Sequence, residues 1–297
     1  EFLITYIKSI DRGILYMLLA SFLFALMGFF VKLLSQTMSS LEIVFFRNVF
    51  GVAMIGYSLY KVAPKTSGGK PFLLFMRGFI GFSALLLFFY NITVMTLADA
   101  MTFSKTSPIF TAIFAYLFLQ EKLPKIASLS IVLGFVGMFM IIKPTAGMLD
   151  KTAITGILSG LGAALAYTSI RELKNYYEPR LIVMSFVLIG TIGPLILMGI
   201  SEFYTNEVFD FMFSPFVMPS GVTWLYVIAL GVLATFSQLF MTKSYATVKA
   251  GIAGVISYSN ILFSIGIGVL IGEGLPDLMS AFGILLIIIG GILVTKK

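Results

Sequence analysis

Residues 98–142 read ADAMTFSKTSPIFTAIFAYLFLQEKLPKIASLSIVLGFVGMFMII, and residues 248–294 read VKAGIAGVISYSNILFSIGIGVLIGEGLPDLMSAFGILLIIIGGILV. Both hold an apolar helix, then E-x-L-P (Glu121 to Pro124, Glu273 to Pro276), then a second, Gly-rich apolar helix. The register between the copies slips by two residues, from Ala100 opposite Ala250 to Glu121 opposite Glu273. An apolar run of about 20 residues crosses a bilayer as a helix. The chain offers ten such runs, at 14–34, 41–60, 72–95, 99–119, 124–142, 153–171, 180–201, 221–242, 248–271 and 276–295. The echo sorts them into two sets of five, residues 1–145 and 146–297. An odd number of spans per set makes the second set enter the membrane upside down. Inverted repeats around a central site are a common plan for secondary transporters. The expected fold is therefore all-α and polytopic, with ten transmembrane helices in two inverted five-helix repeats.

Composition agrees. The 297 residues are 59% hydrophobic and 11% charged, with a mean hydropathy of +1.04, whereas soluble domains are about 25% charged. The chain has no cysteine and no histidine, which removes disulfides, thiol chemistry and the usual proton switch and metal ligand. No G-x-x-x-x-G-K-[ST] and no H-E-x-x-H occurs, so neither an ATP motor nor a zinc hydrolase is encoded. No catalytic cluster appears, and no cofactor or metal is expected. The first apolar run has full transmembrane length and no A-x-A-like site follows it, so it reads as a span and not as a cleavable signal.

The net charge of +7 reflects topology and not nucleic-acid binding. With the N-terminus cytoplasmic, the inner loops hold Lys8, Arg12, Lys61, Lys65, Lys70, Lys122, Lys125, Arg171, Lys174, Arg180, Lys243, Lys249, Lys296 and Lys297, and the outer loops hold only Lys143 and Lys151. This bias places both termini inside. It also puts the two E-x-L-P copies on opposite faces, as an inverted repeat requires. The aromatic-rich loop at 202–220 falls outside, either as a short interfacial helix or as an irregular loop.

Four basic residues remain within or beside the spans: Lys32, Arg47, Arg77 and Lys105. Such groups are costly in hydrocarbon and face a cavity, a partner or the interface. Lys32, near the outer end of its span, is placed to snorkel. Arg47 and Arg77 are candidates for a gate or charge network, against packing for the first and a headgroup contact for the second. Lys105 sits in the run Thr102, Phe103, Ser104, Lys105, Thr106, Ser107, Pro108. Hydroxyls on adjoining turns surround it, and Pro108 frees the carbonyl near Ser104. This pattern points to a central cavity, with Lys105, Thr102 and Ser104 as substrate-binding candidates. The matching stretch of the second copy, Ile256 to Asn260, is polar but uncharged and adds Tyr258 and Asn260. Tyr90 and Asn91 in span 3, and Ser237 and Gln238 in span 8, complete the substrate-binding set. Tyr167, Thr168 and Ser169 are further polar positions in span 6. Asp99 joins the charge network at the mouth of span 4 or caps that helix. Glycine spacings such as Gly156-x-x-x-Gly160 indicate close helix packing, within the chain or across a homodimer seam.

Ten spans near 300 residues, the paired E-x-L-P segments, Phe118 to Leu123, Ile142-Lys143-Pro144 and Phe45-Phe46-Arg47-Asn48 together resemble the EamA branch of the drug/metabolite transporter superfamily. The resemblance covers nearly the whole chain. It implies a basket in which spans 3, 4, 8 and 9 line a central cavity, 1, 2, 6 and 7 move around it, and 5 and 10 sit behind. It also implies a multi-pass protein of a bacterial or archaeal inner membrane, whose partners are a small-molecule substrate and lipid. Family members carry amino acids, nucleotide-linked compounds, carboxylates, S-adenosylmethionine and drugs. The expected function is secondary or facilitative transport of a small anionic or zwitterionic metabolite (amino acid, carboxylate or nucleotide-like) by alternating access. The alternatives are export of amphipathic cations or drugs, and flipping of a lipid-linked phosphate compound.

Overall fold

A computed structural model describes residues 12–64, 68–94, 103–121, 124–142, 151–204, 209–270 and 277–295. The described residues form helices α1 (Arg12–Leu34), α2 (Ser40–Lys61), α3 (Pro71–Val94), α4 (Ser107–Leu119), α5 (Lys125–Ile142), α6 (Lys151–Leu173), α7 (Pro179–Ser201), α8 (Thr223–Thr247), α9 (Ala250–Ser257), α10 (Ser259–Leu270) and α11 (Leu278–Thr295). Seven spans, with α9 and α10 taken as one, are long and apolar enough to cross a membrane; three shorter apolar helices lie at α4, α5 and α11. Local sequence fixes several ends. Ser39 caps α2 in a reciprocal capping box with Glu42, and Pro179 occupies the first turn of α7.

The packing obeys a two-fold exchange. α1 lies along α8 as α3 lies along α6, and α3 meets α7 as α8 meets α2. The pairs α2 with α7, α4 with α9, and α5 with α11 map onto themselves. Ten spans in two inverted five-helix repeats are thus written into which helix touches which. Lipid supplies no hydrophobic drive between helices, so close van der Waals packing holds them. Gly137 of α5 lies against the Gly283 carbonyl of α11, and Gly290 of α11 lies against the Ser130 carbonyl of α5. The glycine seam of these two helices is consumed inside the chain. Large apolar residues such as Tyr116, Phe118, Leu195, Ile196, Leu285 and Ile292 face outward, toward the lipid a membrane protein requires.

Two helices differ from the continuous spans expected at 99–119 and 248–271. Residues 103–104 are helical, Lys105 and Thr106 form a turn, and α4 begins at Ser107. Pro108 has no N–H for the Ser104 carbonyl and its ring crowds that turn, while Thr106 Oγ1 donates to the Phe103 carbonyl at 2.6 Å. In the second repeat the break falls at Tyr258, whose N–H reaches back three residues to Val255 at 3.1 Å. No proline acts there; Ser257 Oγ donates to the Gly254 carbonyl at 2.7 Å, a local bond that competes with the helix. α8 runs to Thr247, beyond the expected 242, and Lys243 lies over the rings of Tyr16 and Phe240. Among the described residues of the 202–220 segment is one 3-10 turn, Asp210–Met212, and residues 211 and 217 dock against the bundle. Phe211 packs on Tyr90 with ring centroids 4.9 Å apart, and the Val217 N–H donates to Glu42 Oε1 at 2.7 Å.

Candidate functional site

The two helix breaks face a cavity at the repeat interface. It offers about 110 Å³ to the centre of a water molecule, room for several waters. Its wall takes Ser21 and Phe24 from α1, Arg47 from α2, and Arg77, Gly81 and Phe88 from α3. Ser104, Lys105 and Ser107 come from the first break, and Ser257 and Asn260 from either side of the second. Tyr167, Phe186, Gln238 and Tyr245 complete it from α6, α7 and α8.

The charges are one-sided. Arg47 and Arg77 are each 2% exposed, and both guanidinium carbons lie over the Phe186 ring, 5.2 and 5.0 Å from its centroid. Arg47 donates to Asn48 Oδ1 at 2.9 Å and to Gln238 Oε1 at 3.4 Å. Asn48 is itself fixed by bonds to the Val44 and Gly190 carbonyls at 2.8 and 3.2 Å. Arg77 has room because its neighbour one turn on is glycine: a Cβ at Gly81 would sit 2.6 Å from Arg77 Nη1. The Nε of both arginines is buried and without a partner. Among the described residues neither arginine nor Lys105 has a carboxylate partner, and the lining holds no aspartate or glutamate. Facing these cations are amides, hydroxyls and rings, including Tyr167 stacked on Tyr245 at 5.0 Å and 16°.

Of the residues expected from sequence, Lys105, Ser104, Gln238, Asn260, Arg47 and Arg77 line this cavity. Asn260 also donates to the Ser21 carbonyl at 2.9 Å, tying α10 to α1. Tyr90, Asn91, Ser237 and Tyr258 are not among the lining residues. Tyr90 lies under the Lys151 ammonium and Phe211. Asn91 accepts from Thr155 Oγ1 at 2.7 Å and donates to the Thr152 carbonyl at 3.1 Å, joining α3 to α6. Ser237 Oγ donates within its own helix to Ala234 at 2.9 Å. Tyr258 packs with Met138, Ile261 and Ile287, over Gly134 of α5. Thr102, Asp99 and the second E-x-L-P lie outside the described residues. Sequence reasoning missed Ser21, Ser159, Phe186 and Tyr245. Phe186 is one of 30 phenylalanines, and nothing in its neighbourhood marks it. Tyr245 could have been found as the aromatic two turns beyond Gln238 on the same helix.

The ends of the cavity-lining helices meet on the face that carries Arg12, Lys61, Arg171 and Arg180. Glu121, just after α4, pairs with Arg171 of α6 at 2.7 Å and accepts the Ala250 N–H of α9 at 3.1 Å. Lys174 donates to the Ala246 carbonyl of α8 at 3.0 Å. Partial burial, and next the neighbouring Arg171, lower the pKa of Lys174 below the ordinary lysine value. One carboxylate thereby ties the first repeat to two helices of the second.

The model of the EamA-like transporter family matches this chain twice, over residues 11–143 and 150–296. An uncharacterized transporter of Helicobacter pylori strain J99 is 31% identical over 97% of this chain and 95% of its own. The pseudopaline exporter CntI of Pseudomonas aeruginosa strain UCBPP-PA14 is 33% identical over 97% of both chains. A solved structure described only as a protein crystal structure has the same fold, with a TM-score of 0.77 at 16% identity over 96% of both chains. Ten spans, two matched repeats and a cavity between them converge: the chain belongs to the EamA-like transporter family, as a multi-pass membrane transporter of small molecules and not an enzyme.

Proposed function

We propose that this protein moves a small anionic or zwitterionic metabolite by alternating access through the cavity at the repeat interface, as a secondary or facilitative transporter. The observation that carries this reading is the trio Arg47, Arg77 and Lys105 in a lining without a carboxylate among the described residues. Buried cations are retained where they meet a counter-charge, and here the cargo is left to provide it. An amphipathic cation would meet repulsion and find no acid. The paired breaks add support, since transporters commonly bind cargo at discontinuous helices near the middle of the membrane. One of the relatives is named as an exporter of pseudopaline, which supports transport as the activity. The excess of lysine and arginine on the Arg12 face orients both termini toward the cytoplasm. The repeats divide at residues 1–145 and 146–297.

The test is a thermal-shift screen of purified protein and of Lys105→Ala against amino acids, carboxylates, nucleotides and organic cations. Stabilisation by an anionic or zwitterionic class, reduced in the variant, is the expected result. Stabilisation by cations that persists or improves in Lys105→Ala would overturn the reading in favour of cation export.

A further inference from the structure

The three cavity cations all come from the first repeat, on α2, α3 and the turn before α4. The second repeat contributes Ser159, Tyr167, Gln238, Tyr245, Ser257 and Asn260, all neutral. A zwitterion needs an acceptor for its ammonium as well as a donor for its carboxylate. Among the described residues the lining holds no acid to receive an ammonium. A single carboxylate, in turn, would neutralise one cation and leave two buried and uncompensated, a costly arrangement.

The positions of the arginines sharpen this. Both guanidinium groups overlie one ring, Phe186. Two like charges held against the same ring repel each other when the cavity is empty. Anionic oxygens lying between or beside them offset that repulsion. Each guanidinium also retains a buried Nε without an acceptor, so donors are available to both. Gly81 leaves space for Arg77 to take this position along its own helix. Lys105, with no carboxylate partner among the described residues, supplies a third positive group from the break.

We infer that the cargo is a multiply charged oxyanion, with two or more carboxylate or phosphate groups, clamped by Arg47 and Arg77 with Lys105 as a third contact, and with its uncharged part toward the tyrosine and amide wall of the second repeat. The inference rests on the transport reading above and narrows it from anion or zwitterion to polyanion. Arg47 and Arg77 are then specificity-determining groups that count negative charges on the cargo.

The experiment is calorimetric titration of the full chain in nanodiscs with butyrate, glutarate, tricarballylate, glutamate and pyrophosphate, and with tetraphenylphosphonium as the cation. Affinity is expected to rise at least about tenfold for each added carboxylate, and glutarate is expected to bind more tightly than glutamate, which adds an ammonium to the same two carboxylates. Pyrophosphate exceeding tricarballylate would keep the class and name phosphate as its source. Arg77→Gln is expected to collapse the gap between tricarballylate and butyrate to a few-fold. Gly81→Ala, which displaces the guanidinium and keeps its charge, is expected to narrow the same gap and gives a second reading should Arg77→Gln not fold. Equal binding of butyrate and glutarate, or tighter binding of glutamate, overturns the polyanion inference and leaves the anion-or-zwitterion reading standing. Binding of tetraphenylphosphonium with none of the anions overturns both. Absence of binding by glutarate, tricarballylate and pyrophosphate at millimolar concentration also overturns the inference.

Discussion

Replacing Glu121 by glutamine should open the protein on the face that carries Arg171. The glutamine keeps the shape of the side chain and an acceptor for the Ala250 N–H, but removes the charge that Arg171 faces. The pair is well shielded, with side chains 11% and 18% exposed on Glu121 and Arg171. A fully buried pair broken at one end costs roughly 3–5 kcal/mol. A charge-assisted hydrogen bond with some residual solvent access contributes less, about 2 kcal/mol. The bond links the α4 corner to α6 and α9, so its loss falls on the state in which those helix ends are gathered. About 2 kcal/mol corresponds to about a thirtyfold shift in the open-to-closed ratio. The chain has no native cysteine, so Ser257→Cys places a single thiol in the cavity lining. Its labelling by an impermeant maleimide, in vesicles presenting the Arg171 face to the reagent, reports the open fraction directly. Glu121→Gln in that background should label tens of times faster than its parent. A rate within twofold of the parent would show that the ion pair does not hold this face closed.

Further substitutions test separate parts of the argument. A Cβ at Gly160 would lie 2.8 Å from the Phe103 carbonyl oxygen and collide with Thr106 Oγ1, so Gly160→Val is expected to cost about 1–3 kcal/mol, read as a lower thermal midpoint. Gly199, where an added Cβ would meet nothing within 4 Å, is the control: Gly199→Ala should be neutral or stabilising by about 0.5–1 kcal/mol. Pro108→Ala returns an N–H to the Ser104 carbonyl and should raise the thermal midpoint while weakening ligand binding, because the turn at Lys105 is drawn into regular helix. Unchanged binding would show that the break is not needed to present Lys105. Asn91→Leu removes the bonds to Thr152 and Thr155 and should lower stability by about 0.6 kcal/mol, with ligand affinity unchanged in the same thermal-shift assay.

The sequence carried the fold because bilayer physics leaves few choices. Long apolar runs must be helices, and the match between 98–142 and 248–294 makes two sets of five run in opposite senses. The starts expected at 41 and 180 fall close to the observed ones, Ser40 and Pro179, while the capping box at Ser39 was a signal that went unused. The disturbance at Lys105 was signalled by Pro108, whose effect on the preceding turn is local, although the span itself was expected to be continuous. The break at Tyr258 was not signalled, because serine hydroxyls compete with a helix only weakly and tertiary packing decides the outcome. Polar residues inside spans were ambiguous for a related reason. Asn91 and Asn260 look alike in sequence. One meets Thr155 across α3 and α6, while the other borders the cavity and bonds to Ser21. Which way each faces depends on helix rotation, and the uniformly apolar spans carry little periodic signal to fix it.

Symmetry and charge divide the work of this molecule between them. The two-fold exchange of helix pairs, with a broken helix in each repeat, gives the packing on one face a counterpart on the other, the plan on which the proposed alternating access rests. The side chains do not share that symmetry. Arg47, Arg77 and Lys105 belong to the first repeat, and the stretch matching Lys105 in the second is Ile256 to Asn260, which is uncharged. A symmetric set of cations would double the number of buried charges around a cavity of about 110 Å³, with no acid among the described lining residues to offset them. Keeping the positive wall on one repeat limits that desolvation cost. For the polyanionic cargo inferred above, it also sets an orientation, charged groups toward α2 and α3 and the neutral part toward Tyr167 and Tyr245. Under the alternating-access proposal the cargo then holds the same contacts while the helices around it rearrange. It follows that adding a cation to the second repeat should be more harmful than moving one. Asn260→Lys alone should weaken anion binding or folding, whereas Asn260→Lys with Lys105→Asn should recover part of the loss. Equal behaviour of the single and double variants in the thermal-shift assay would refute the idea that total cavity charge, and not only its placement, is under constraint.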